Sequence, residues 1–104
     1  MRRGEVWWAD LPAPVGRHPV LIVTRDAAIV VRSAVTVVPI TRTIWHLPVE
    51  VGLGVKDGMP TACVANCDNL LTVPKTLFQT RICTLTAGKM QTVEQAIKFA
   101  LNLK

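Results

Sequence analysis

A chain of 104 residues is long enough for one domain with one core, and half of its residues are apolar, which excludes disorder. The balance of twelve Lys and Arg against seven Asp and Glu leaves a net charge of +5, which points to a polyanion or an acidic protein as partner. The longest apolar runs, PVLIV and VTVVPI, are far shorter than the roughly 20 residues that cross a bilayer. Asp10 interrupts the amino-terminal segment before a signal-peptide core develops, so the chain reads as soluble and cytoplasmic, with no membrane contact.

EVWWADL, residues 5–11, is rich in aromatic and branched side chains and reads as a strand closed by PAPVG. Trp7 and Trp8 are adjacent on it and face opposite sides, one toward the core and the other toward a surface where a second copy can pack. In VGRHPVLIVTRD, Gly16 permits a tight turn and Pro19 keeps His18 extended ahead of the strand PVLIVT. A connection from Ala27 to Ser33 leads into AVTVVPIT, where Pro39 suggests an edge position or a bulge. LPVEV is a further strand, KDG at 56–58 a turn, TACVANCDNLLTV two short strands or one bent one, and RICTL another. The tail changes period: Met90, Val93, Ile97 and Leu101 fall on one face of a helix that Thr86 caps. The expected architecture is mainly β, a small barrel with a carboxy-terminal helix packed on it, forming a single domain over 1–104.

Three cysteines, Cys63, Cys67 and Cys83, contain no CxxC pair. They read as small buried side chains of a reducing compartment, and a zinc site with His46 lacks the usual ligand spacing. Metal-dependent hydrolysis needs converging carboxylates or histidines, but the seven acids are scattered without DxD, ExxE or HxxxH. No phosphate-binding glycine loop or GxSxG elbow occurs, and Ser33 is the single serine. The toolkit left for catalysis is His, Arg, Thr and backbone groups. It suits RNA, which carries its own nucleophile in the 2′-hydroxyl and needs only proton transfer and charge stabilisation.

RRGEVWWADLP, then HPVLIVTRD, VVPIT and CDNLLTVPKT, in that order, resemble the MazF/PemK toxins over nearly the whole chain. The resemblance implies an SH3-like β-barrel with a carboxy-terminal α-helix, and a homodimer. It implies metal-independent, cofactor-free cleavage of single-stranded RNA (mRNA) at short motifs, leaving 2′,3′-cyclic phosphate and 5′-OH ends. It further implies inhibition by a MazE-like antitoxin with an acidic tail. The family's catalytic arginine directly before Pro-Val is here His18, with Arg17 one place earlier, and Thr41 matches the family's catalytic threonine. Leu71 stands where the pattern DQxRTID has its arginine, and Pro74 where an acid often follows.

His18, Thr41 and Arg17 are therefore the candidate catalytic residues. An imidazole exchanges protons near neutrality whereas a guanidinium stays charged. Arg42, Trp45, His46, Asn69, Lys75 and Arg81 are the candidate RNA contacts. Trp45 is read as a base-stacking platform or a loop anchor, and Lys75 and Arg81 as phosphate contacts or solvated charges. Two rival readings stay open: a toxin of the same fold that binds DNA gyrase, as CcdB does, and a lapsed relative that binds RNA or antitoxin without cleaving.

Overall fold

A computed structural model describes all 104 residues. Seven strands pair antiparallel: β1 (Glu5–Leu11), β2 (Gly16–Ile22), β3 (Ala34–Thr41), β4 (Glu50–Leu53), β5 (Cys63–Asn66), β6 (Leu71–Pro74) and β7 (Phe78–Thr84). They run in the order β4-β5-β3-β2-β1-β7, with β6 added on β3. The terminal strands β4 and β7 do not pair with one another, so the barrel-like sheet stays open. Helix α1 (Asp26–Val31) links β2 to β3, and α2 (Ala87–Leu101) closes the chain. No helix is long and apolar enough to cross a membrane.

The β1–β2–β3 layer carries an apolar cluster on each face, because alternate side chains of a strand point oppositely. Val6, Leu21, Val38 and Ile40 join Val51, Cys63, Cys67 and Val93 in the larger one. Ala9, Val20, Ile22, Val37 and Val73 form the smaller. α2 lays Met90, Val93 and Ala96 on the larger cluster, and its Thr86 cap accepts a hydrogen bond from the Lys89 amide at 3.1 Å. Leu101 departs from the expected apolar stripe and is exposed, since the last turn runs beyond the sheet.

Three further local expectations are corrected. β2 begins at Gly16, so His18 lies inside a strand rather than at its mouth. The connection after β2 contains α1, which buries Ala28 and Ile29 although its valines are poor helix formers. Pro39 lies in a central strand: it sits opposite Val20 of β2, and on the other edge it falls between Val37, the last β6 partner, and Ile40, the first β5 partner. The missing N–H coincides with that gap in the ladder, where no partner needs it.

Candidate active site

The β2–β3 register, Val20 opposite Pro39, continued two residues brings His18 level with Thr41, and a third residue brings Arg17 level with Arg42. Strand alternation starts the two pairs on opposite faces, yet at the end of the strand pair all four residues line one cleft. One cleft, of about 550 Å³, is lined by Trp8, Arg17, His18, Thr41, Arg42 and Thr43, with Met59 and Pro60 closing it. A second, of about 480 Å³, is lined by His18, Thr41, Thr43, Trp45, Asn66 and Asn69. His18 and Thr41 thus stand on the lip that separates a cationic cleft from an amide-and-indole cleft.

Arg17 is held from two sides. Its guanidinium lies 4.3 Å from the centroid of the Trp8 ring, and its Nε donates to Gln79 Oε1 at 3.0 Å. Trp8 and Arg17 are diagonal neighbours across the β1–β2 pair, an arrangement visible only once the register is known. Both tryptophans of β1 remain half-buried, contrary to one being core: Trp7 stacks edge-on against Phe78 and donates to Glu5 Oε1 at 2.9 Å.

Thr41 Oγ1 accepts from the Thr43 amide at 3.2 Å. That bond occupies a lone pair and leaves the hydroxyl proton free to be donated outward, as stabilising an oxyanion requires. Arg42 is exposed beside it. Trp45, 69% exposed, and the exposed Asn69 reach the second cleft, but His46 lies around the corner with Ile44, Glu50 and Gly52. Leu71 lines the second cleft too, at the position where the family pattern carries an arginine.

Lys75 and Arg81 are not brought to either cleft. Lys75 Nζ donates to the Ile29 carbonyl, tying β6 to α1, and Arg81 pairs with Glu5 Oε2 at 3.3 Å. Cys63 and Cys67 are buried, and burial pushes the Cys67 thiol up to about 11. Cys83 is half-buried, 3.6 Å from the Met59 sulfur. A buried thiol with a raised pKa is a poor nucleophile.

Fold and site together define a small basic β protein with a C-terminal helix, in which an imidazole and a hydroxyl border a cleft lined by two arginines. A family model for the PemK-like, MazF-like toxins of type II toxin–antitoxin systems matches residues 2–101, and the chain belongs to that family. It is 40% identical over 99 residues, 94% of this chain and 95% of the relative, to a protein named probable endoribonuclease MazF2 of Mycobacterium tuberculosis. Among solved structures it resembles the Mycobacterium tuberculosis toxin MazF-mt6, with a TM-score of 0.88, 32% identity, and 96% of this chain and 98% of that chain covered. It also resembles a mycobacterial endoribonuclease in complex with its cognate antitoxin, with a TM-score of 0.90 and 31% identity over 100% of this chain and 97% of that one.

Proposed function

We propose that this protein is the toxin endoribonuclease of a toxin–antitoxin pair, one cytoplasmic domain that cleaves single-stranded mRNA at short motifs. The observation that carries the reading is the shared lip. His18 and Thr41 lie between a cleft with two arginines, suited to phosphates, and a cleft with an indole and amides, suited to bases. His18 takes the proton of the 2′-hydroxyl as its oxygen attacks the adjacent phosphorus. Thr41 donates to a non-bridging oxygen, and Arg17 and Arg42 offset the developing charge. The P–O5′ bond breaks, the departing oxygen takes a solvent proton, and a 2′,3′-cyclic phosphate and a 5′-hydroxyl remain. No three His, Cys, Asp or Glu side chains gather, so the donor set favours proton transfer over metal chemistry.

Arg17 is assigned to phosphate rather than to the proton, because stacking on Trp8 and bonding to Gln79 hold it as a fixed cation in the cleft it shares with His18. The +5 net charge suits an acidic antitoxin tail as well as RNA, and a homodimer is the working unit we infer. Leu71 in the second cleft favours one alternative, a relative that binds RNA or antitoxin without cutting.

One experiment decides between them. Purified protein is incubated with a long single-stranded RNA in EDTA, and the new ends are identified. Cyclic phosphate ends are expected, with the rate falling roughly 10²–10³-fold in Thr41→Ala, the usual loss of one oxyanion donor. His18→Ala is expected to be slower still, and Arg17→Ala to weaken binding. Intact RNA across diverse sequences sinks the enzyme reading, and activity surviving in His18→Ala but lost in Arg17→Ala reverses their roles.

A further inference from the structure

Between β3 and β4 the chain has no regular structure from Thr43 to Leu47, yet one side chain ties it down. The Glu50 carboxylate accepts from the Trp45 amide through both oxygens, at 3.0 and 3.3 Å, and from the Leu47 amide at 3.1 Å. The Glu50 amide donates in return to the Leu47 carbonyl at 3.0 Å. Between the two anchored amides His46 is held at φ 57, a left-handed conformation that side-chain-bearing residues rarely adopt. The loop is thus braced on both sides of a strained residue.

The charge of Glu50 is out of place unless it has such a task. The neighbouring clefts offer Arg17, Arg42 and His18 to a polyanion, and Glu50, which lines neither but bonds the backbone of Trp45 at the edge of the second, adds a charge that disfavours phosphate. Trp45 is out of place in the complementary sense, as a large apolar ring left 69% exposed. One arrangement accounts for both. We propose that Glu50 is a positioning residue: by capturing the amides of residues 45 and 47 it pre-sets the Trp45 indole as the platform for one RNA base beside the scissile phosphate. Ordering the loop before RNA arrives removes a cost that binding would otherwise bear. The inference rests on the ribonuclease reading and adds to it a residue that touches no substrate.

Two roles for Glu50 predict opposite signs. If the carboxylate acted only through its charge, Glu50→Gln would remove a repulsion and tighten RNA binding. If it positions Trp45, Glu50→Gln and Glu50→Ala weaken binding. A stacked base is worth about 5- to 150-fold in affinity, which bounds the loss in Trp45→Ala and in the Glu50 variants. The expected result with a long single-stranded RNA is a raised KM in Glu50→Ala and a kcat changed by less than about threefold, since ground-state binding is what is lost. Glu50→Ala added to Trp45→Ala is expected to weaken binding no further. Amide hydrogen exchange supplies a readout independent of activity: the amides of residues 45 and 47 exchange faster in Glu50→Gln while those of β3 do not.

Equal or tighter binding in Glu50→Gln, additive losses in the double variant, or unchanged exchange at residues 45 and 47 overturns the proposal. Binding is measured in a His18→Ala background, so that it is read without cleavage. A wild type that neither cuts nor binds RNA removes the ribonuclease reading and this proposal with it. A wild type that cuts while the Glu50 variants match it removes this proposal alone.

Discussion

Arg17 and His18 are neighbours in sequence and opposites in space. Strand alternation lets Arg17 line the cationic cleft alone while His18 lines both, and the β2–β3 register, extended past Val20 and Pro39, sets His18 level with Thr41 and Arg17 level with Arg42. The residues on the lip were reached through the family resemblance, which sets His18 at the family's arginine before Pro-Val and Thr41 at its threonine after an apolar run. The clamp on Arg17 was not, because Trp8 and Gln79 reach it across strand pairings that no spacing reveals. Glu5 shows the same limit. Its carboxylate is buried and gathers the Arg2 amide and the Trp7 indole at 2.9 Å each and Arg81 at 3.3 Å. Burial alone would push its pKa up, but the bonds from Trp7, Arg2 and Arg81 outweigh it and hold the group below its ordinary value. Stability from Glu5 is therefore present in full above the unfolded-state pKa of about 4.3 and is lost as pH falls through the lower folded-state value. Glu5→Gln is expected to cost about 1–3 kcal/mol at neutral pH, with the Arg81 pair adding little because that side chain is largely exposed. Urea unfolding at neutral and acid pH checks this: the gap between variant and wild type narrows on acidification.

At the scale of elements, β1, the β3 segment, the two short strands β5 and β6, and α2 with its Thr86 cap were readable from period and turn chemistry. α1 was not, because two of its six residues are β-branched valines exposed to solvent, and burial of Ala28 and Ile29 decides the conformation. Pro39 misled for a related reason: a proline excludes a ladder bond on one edge only, and here that edge changes partner. The KDG turn was legible as a turn, but not the demand it places on Gly58. That glycine has φ +97, and a Cβ built on it would lie 2.6 Å from Cys83 Cβ on β7. Gly58→Ala meets a backbone penalty and a collision that only a shift of β7 relieves. We expect a loss of about 1–3 kcal/mol, which in a domain of this size lowers Tm by roughly 5–20 °C. Gly52→Ala is the control, since its Cβ would meet nothing within 4 Å. Its thermal melt should stay within about 0.5 kcal/mol of wild type. Equal losses at both glycines would mean that neither the Cys83 contact nor the positive φ sets the cost, since the smaller entropy of the unfolded alanine chain acts in the stabilising direction.

The whole molecule has a second basic cleft, away from the lip. A cleft of about 580 Å³ runs between α1, β3, β6 and α2, with Arg3, Arg25, Arg32 and Lys98 on its walls. Glu94 is its one acid and is paired with Arg3 at 3.0 Å. The two helices that border it also carry half of the large apolar side chains left in solvent outside the β3–β4 loop: Val30 and Val31 on α1, Phe99 and Leu101 on α2. Single exposed apolar residues need no explanation, but four on two helices flanking one cleft mark a contact surface. We assign it to the inferred homodimer. Val31→Lys and Phe99→Lys, at positions 80% and 63% exposed, should leave the monomer's fold and melting almost unchanged while halving the sedimenting mass. The charge adds a second signature. Two chains of +5 repel, and salt screens that repulsion over a Debye length of about 8 Å at physiological strength, so the dimer fraction should rise with salt. RNA binding should fall over the same range, because counterion release weakens contacts to phosphate. Opposite salt responses would thus separate a dimer contact made through the exposed apolar side chains from a phosphate contact made through the basic ones. A mass that neither substitution changes would place the dimer contact elsewhere.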